Sequence, residues 1–289
     1  MSNRMAATNP ATLRFLREPT TYGADIASVE VIETHLSWVF LAGQHAFKLK
    51  KPLHNPYLDF RSVAARCHAC QLELILNRRL APSVYLSVEP ISLDAEGALH
   101  FGDSVQRVDC VVKMRRLPER DMLNHALQHD AVTPALLHNV AACIARFHQS
   151  LPALRPKPSE WCASLEEQIA QNERALLAYP QHLRNDLVHR LMLAQRSFLR
   201  AHAAWIDTRI QQGKMVEAHG DLRAEHVFIS NGVGAIDCLD FSATLRQLDC
   251  ADEIGFLALD CERLAGAAVA QQLLQAYWQI SADDPPTAL

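Results

Sequence analysis

Residues 219–240, HGDLRAEHVFISNGVGAIDCLD, decide how this chain is read. His219, Gly220 and Asp221 fall on a loop, followed by a β-branched run from Val227 to Ser230. Asn231-Gly232 is a strong reversal signal, so a second strand is expected to end at Ile236-Asp237. The spacing predicts a hairpin with a carboxylate at each end, Asp221 and Asp237. Arg223 and His226 lie between them, so an acid, a cation and two further potential metal ligands share two tight turns.

Working outward, residues 28–52 (SVEVIETHLSWVFLAGQHAFKLKKP) are rich in β-branched and aromatic residues, with a turn at Gly43-Gln44. They predict two or three antiparallel strands, closed by Pro52. Residues 61–80 carry two apolar rows, Val63/Cys67/Cys70/Leu74 and Leu72/Leu76/Leu80, as expected of a helix contacted on more than one side. Strand-like sequence returns at 84–91, 98–101 and 105–114, and Leu117-Pro118 breaks the pattern. Beyond it the period is helical: Leu137, Val140, Ile144, Phe147 and Leu151 mark one helix. Leu187, Leu191, Ala194, Phe198, Ala201 and Trp205 predict one long helix, Ile254, Leu257, Ala258 and Cys261 another, and 267–278 a last one. The whole is an α+β plan of two lobes. Residues 1–25 are a lead-in with a weak apolar stretch at Leu13, Phe15 and Leu16, and 26–117 form a small antiparallel sheet lobe with one helix. Residues 118–289 form a larger, mostly helical lobe holding a loop at 219–226 and a turn at 236–241.

The chain has 289 residues, 49% of them hydrophobic and 21% charged, which suits a soluble globular enzyme able to bury a sizeable core. A formal charge of -4 argues against a general nucleic-acid binder, and no apolar run approaches the roughly 18 residues of a membrane helix. The eight cysteines are irregularly spaced and no signal segment precedes them, so a cytoplasmic location with reduced thiols is expected. Cys67 and Cys70 form a CxxC inside a helix with no second pair at zinc spacing, and are read as core residues.

Two carboxylates on adjacent loops suit phosphoryl transfer. Protein kinases use H-R-D-L-x-x-x-N, whose Asp accepts the acceptor hydroxyl proton and whose Asn holds a metal, followed by a second Asp on the metal that bridges the phosphates. His219, Asp221 and Leu222 occupy the first positions in register, with Gly220 in place of the arginine. His219 is read as bonding the loop backbone. Arg223 falls where a cation would meet the transferring phosphate. Upstream, Lys48 in AFKLKKP matches a strand lysine and Glu73 lies centrally in the following helix, the pair that orients the nucleotide phosphates. Lys50 shares the strand face of Lys48 and is the reserve candidate. Asp240 and Glu253 are read as caps, and Asp252 as the brace of the catalytic loop.

The blocks ETHLSWVFLAG, AFKLKKP, LNRRLAP, VVKMRRLPERDML, HGDLRAEH, IDCLDF and DEIGFLALD resemble the aminoglycoside phosphotransferase family, a protein-kinase-like group, and in particular an uncharacterised bacterial branch of it. Related chains continue with further helices and sometimes a P-loop domain, so a separate or fused P-loop partner is expected, with a C-terminal wall of the acceptor pocket missing or supplied elsewhere. The resemblance implies transfer of the γ-phosphate of ATP or GTP to a hydroxyl of a small molecule. It implies Asp221 as base, Asp237 on Mg²⁺, Lys48 on the phosphates and adenine near Met114 and Leu117. Two departures bear on this. The metal-binding Asn position is His226, and imidazole suits Mn or Zn better than Mg²⁺, so Mn²⁺ is an alternative. The turn at 33–37 contains no glycine to cradle phosphates, leaving His35 or Ser37 to compensate. Two other readings stand beside this one: a nucleotide-binding pseudokinase or scaffold without transfer, and a metal-dependent hydrolase built on His219, Asp221, His226 and Asp237.

Overall fold

The computed structural model of the chain describes residues 9–55, 57–283 and 285. Expectations for the first eight residues and for the extreme tail lie outside the described residues. The lead-in contains α1 (Pro10–Arg17), started by Pro10 at its first turn and by the Asn9 side chain, which accepts a hydrogen bond from Ala11 N at 3.0 Å. Three antiparallel strands follow, β1 (Val29–Glu33), β2 (Ser37–Ala42) and β3 (His45–Lys50). The β2–β3 reversal needs Gly43, whose φ is +57° and whose missing Cβ would meet Ile26 Cδ1 at 2.7 Å. The short hairpin β4 (His54–Asn55) and β5 (Leu58–Asp59) then leads into α2 (Val63–Asn77).

Helix α2 is shorter than the 61–80 expected. The Ser62 hydroxyl caps its start, accepting from Ala65 N at 3.1 Å, and Asn77 O ends it by accepting from Leu80 N and Ala81 N. Three more strands, β6 (Tyr85–Leu93), β7 (Leu99–Phe101) and β8 (Gln106–Arg115), complete a sheet ordered β1-β2-β3-β8-β6-β7. Period-two alternation along β3 sorts its side chains. Phe47 and Leu49 join Leu16 of α1, Phe40, Ile91 and Val111 on the outer face. Ala46 packs inward with Met114 and with Cys67, Cys70 and Leu74 of α2, and Lys48 and Lys50 follow it on that face. Cys67 and Cys110 are joined by a disulfide with Cα atoms 5.1 Å apart, tying α2 to β8, where reduced thiols were expected. Cys67 and Cys70 are core residues, as read, and the pairing of Cys67 with the likewise buried Cys110 was hidden because they lie 43 residues apart.

The remaining chain is largely helical: α3 (Leu123–Gln128), α4 (Pro134–Ser150), α5 (Pro158–Leu177), α6 (Asn185–Ala201) and α7 (Ala203–Gln211) precede β9 (Met215–Glu217). Then come β10 (Val227–Phe228), β11 (Gly234–Ala235), α8 (Ala243–Arg246), β12 (Gln247–Asp249), α9 (Cys250–Ala265) and α10 (Ala267–Ser281). Leu137, Val140 and Ile144 of α4, Ile254, Leu257 and Cys261 of α9, and Leu273 and Tyr277 of α10 form one core with Leu222 and Val227. Burying each such aliphatic side chain contributes about 1.5–3 kcal/mol. That core carries the 219–226 loop on its surface.

The single helix expected to run from 187 to 205 is two, broken at His202. The row Leu187, Leu191 and Phe198 faces solvent, at 58%, 50% and 38% exposure, while Val188, Met192 and Leu199 are buried. Both rows are apolar at helical spacing, so periodicity alone does not choose between them. Among the described residues, no helix is long and apolar enough to cross a membrane.

Candidate active site

The expected hairpin forms with shorter strands than its sequence suggests, because Asn231 and Gly232 take positive φ and the reversal runs from 229 to 233. Gly234 allows it to press on the end of α2, since a Cβ there would lie 2.3 Å from Leu80 O. Asp237 is beyond the strand, at a φ of +63°, with its N–H donated to the buried Tyr85 hydroxyl at 3.1 Å. Asp tolerates the left-handed region better than most residues, and such strain collects at functional sites. Next to it, Cys238 N donates to Asn77 Oδ1 at 2.9 Å, binding the turn to α2.

The 219–226 loop is held mainly by backbone bonds. Gly220 has a φ of +85°, and a Cβ there would crowd Arg246 Cγ at 3.1 Å, Leu239 Cβ at 3.2 Å and Leu245 O at 3.3 Å. No larger residue fits this position without movement. Both ring nitrogens of His219 serve the loop: Nε2–H donates to Ile236 O at 2.9 Å, and Nδ1 accepts from Asp221 N at 3.3 Å. Burial lowers the His219 pKa, favouring that neutral ring. Leu222 is fully buried and anchors the loop from below.

The brace expected of Asp252 comes from its neighbour. Glu253 Oε1 accepts from His219 N at 2.8 Å and Gly220 N at 2.7 Å, whereas Asp252 is exposed. The other oxygen of Glu253 accepts from His148 Nε2 at 2.8 Å, and His148 Nδ1 meets the Tyr277 hydroxyl at 2.7 Å. A buried chain thus runs from α10 through α4 and α9 to the loop. Burial would depress the His148 pKa, but Cys250 and Glu253 outweigh it and raise the pKa to about 9.

Asp221 and Asp237 converge on His226. Its Nδ1–H donates to Asp221 O at 2.8 Å, and its ring nitrogens lie 3.8 Å from one carboxylate oxygen of each acid. The bond to the carbonyl fixes the proton on Nδ1, so Nε2 keeps its lone pair and accepts from Arg223 Nη2. Arg223 lies beside both, 3.2 Å from an Asp221 oxygen and 3.2 Å from His226 Nε2.

Across the cleft, Lys48 Nζ is 2.5 Å from Asp237 Oδ1 and 2.9 Å from Glu73 Oε1. Lys50 Nζ is 2.7 Å from Glu73 Oε2 and also pairs with Asp240 Oδ2. Asp240 is therefore a lysine partner and not a cap. Desolvation is the largest single influence and would raise the Asp237 pKa, but Lys48, His226 and Lys50 together outweigh it and hold the carboxyl well below the usual range. Two lysines face three carboxylates, and the net negative charge suits a divalent cation. Among the described residues no three His, Cys, Asp or Glu side chains are grouped to hold a metal. Asp237, half open to the cleft at 48%, and His226 Nε2 fit a cation shared with a phosphorylated ligand, whose oxygens would fill the other positions. They do not make the three-ligand site that the hydrolase reading requires.

Beyond the lysines, Met114 is buried in the inner cluster with Ala46 and Phe228, and Leu117, Val39, Leu41 and Ile236 pack half-buried around it. This apolar cluster lies on the same face of β3 as the two lysines. Sequence reasoning named Met114 and Leu117 but missed Val39, Leu41 and Ile236, whose apolar alternation was the available signal. It also missed Tyr85, Asn77 and His148, which act through contacts across 129 or more residues that leave no local pattern. The glycine-free turn is closed by Thr34, whose N–H donates to Ser37 O at 2.9 Å and whose hydroxyl accepts from Ser37 N at 3.0 Å. Those two amides are spent on the turn.

The sequence pattern of the Phosphotransferase enzyme family matches residues 62–286. Uncharacterized proteins of Mycobacterium tuberculosis and Mycobacterium bovis are 32% identical over 270 residues, covering 90% of this chain and 51% of theirs. The chain spans about half the length of these curated relatives. A solved choline/ethanolamine kinase family protein from Mesorhizobium loti aligns over 89% of this chain and 71% of its own, with 12% identity and a TM-score of 0.47.

Proposed function

Because the chain belongs to the phosphotransferase enzyme family, we propose that it transfers the γ-phosphate of ATP or GTP to a hydroxyl of a small molecule. The observation that carries this reading is the convergence of Asp221, Asp237, Lys48 and Glu73, from four separate parts of the chain, on one charged cluster beside an apolar one. A purine placed against the apolar cluster at Met114 and Leu117 would bring its phosphates toward Lys48. A divalent cation on Asp237 and His226 would offset charge on the phosphates; Mg²⁺ and Mn²⁺ both suit this role.

Asp221 orients the acceptor hydroxyl and takes its proton, and Arg223 turns from Asp221 toward the transferring group. His219 and Glu253 hold the loop so that Asp221 needs no rearrangement. Positioning of this kind can contribute about 7–11 kcal/mol of barrier reduction, and a placed base about 10²–10⁴-fold in rate. Asp221→Asn tests the role. Nucleotide affinity should stay within about threefold while phosphate transfer to a panel of hydroxyl metabolites falls at least a hundredfold. Retained transfer removes Asp221 as the base.

A binding protein without transfer is the second reading, favoured by His226 in the metal position. His226→Asn separates the two: a gain of Mg²⁺-dependent transfer marks a degraded site, and a loss marks an imidazole in use.

A further inference from the structure

Lys48 and Lys50 stand two residues apart on one face of β3, and both reach Glu73, yet their surroundings differ. Lys48 is 14% exposed and directs its hydrogen bond to Asp237, which is 48% exposed in the cleft. Its contact with Glu73 is a charge contact only, because the buried Glu73 Oε1 accepts no directed hydrogen bond. Lys50 is 4% exposed and donates both to Glu73 Oε2 and to Asp240, which is 10% exposed, with the Phe60 ring 5.4 Å from its ammonium. One lysine faces the cleft and the other is sealed behind it.

We propose that Lys50 is a positioning residue that holds Glu73 and the 237–240 turn together, so that Lys48, still beside Glu73, is free to leave Asp237 for the phosphates. This rests on the phosphotransferase reading of the cleft. A strand lysine meets the phosphates while its helix glutamate stays beside it, so the bond Lys48 must give up is the one to Asp237. Here the second oxygen of Glu73 and the Asp240 carboxylate already have a partner, so Lys48 can swing from Asp237 to a phosphate without exposing a buried charge at Glu73. If Lys50 is removed, Glu73 and Asp240 are left as buried carboxylates with one cation nearby. Lys48 is then drawn inward and leaves the cleft.

The test measures binding of nonhydrolysable ATP and GTP analogues with Mg²⁺ or Mn²⁺, thermal stability, and amide exchange across 236–241. The variants are Lys50→Met, Lys50→Arg and Lys50→Met with Asp240→Asn. Lys50→Met should lower analogue affinity at least tenfold, lower the Tm and speed exchange in the turn, and Lys50→Arg should restore all three. The double variant removes the orphaned charge at Asp240, so its Tm should recover while affinity stays low, because Glu73 still recruits Lys48. Recovery of affinity together with Tm would reduce Lys50 to a structural ion pair and overturn the proposal. Loss of affinity in Lys50→Met with an unchanged Tm and unchanged exchange would make Lys50 the phosphate ligand, which also overturns it. If the wild-type chain binds neither analogue, the phosphotransferase reading fails. Exchange in the turn then still decides the clamp, since it accelerates in Lys50→Met if Lys50 holds the turn and is unchanged if it does not.

Discussion

Gly220 and Asp237 show how single backbone conformations build this site. Gly220 sits at a φ of +85° with three atoms within 3.3 Å of where a Cβ would lie. Gly220→Ala should therefore destabilise the fold by more than about 1 kcal/mol, measured by denaturant unfolding. An unchanged midpoint would show that the loop gives way easily. Asp237, at +63°, permits a cleaner substitution. Asparagine tolerates the left-handed region, so Asp237→Asn should lose only the ion pair with Lys48, while Asp237→Ala should lose about 1–2 kcal/mol more. The principal charged residues were legible at this scale because each sits in a short local pattern: Asp221 three residues into the quoted stretch, Asp237 after Ile236 at the expected end of the second strand, Lys48 on an alternating strand. The brace was assigned to Asp252 and Glu253 was read as a cap of a loop or of the next helix, because the two neighbours differ only in which side of α9 they occupy, and only packing decides that.

At the scale of elements, α4, α9 and α10 meet in the buried contact of His148, Glu253 and Tyr277 beneath the loop. His148 has a folded pKa of about 9, above its ordinary value of 6.5. A raised basic pKa contributes stability that is fully present below about pH 6.5 and is lost as the pH rises through about 9. Glu253, held below its ordinary carboxylate value because His148 outweighs its desolvation, contributes stability that is lost as the pH falls. Unfolding free energy should thus decline from pH 7 to 10 by at most about 3 kcal/mol in the native chain, and more shallowly in His148→Gln. Parallel declines would remove His148 as the source. The Cys67–Cys110 bond is a second element-scale device. Closing a loop between residues 43 apart is worth about 4 kcal/mol in the chain-entropy estimate, so reduction should lower stability by about 2–4 kcal/mol. No loss under reductant would leave α2 held by packing alone. Neither contact was legible in the sequence, since nothing local marks His148 as a partner of Glu253 or Cys110 as a partner of Cys67.

For the whole molecule, an antiparallel sheet with one helix stands against a helical core, and the charged cluster bridges them through Lys48–Asp237 and Lys50–Asp240. Much of that architecture was readable from the change of hydrophobic period after residue 117. The faces of α6 were not, because its exposed and buried rows are equally apolar. The central claim is that this junction binds a nucleotide through a cation on Asp237. The measurement that tests it most directly is the thermal unfolding of the native chain and of Asp237→Asn with ATP and GTP, each with and without Mg²⁺ or Mn²⁺. At about 100 times the dissociation constant, binding adds roughly 2.7 kcal/mol of stability. The expected result is a metal-dependent rise in Tm with at least one nucleotide, lost in Asp237→Asn; no rise with any nucleotide, or an equal rise in the variant, contradicts the claim.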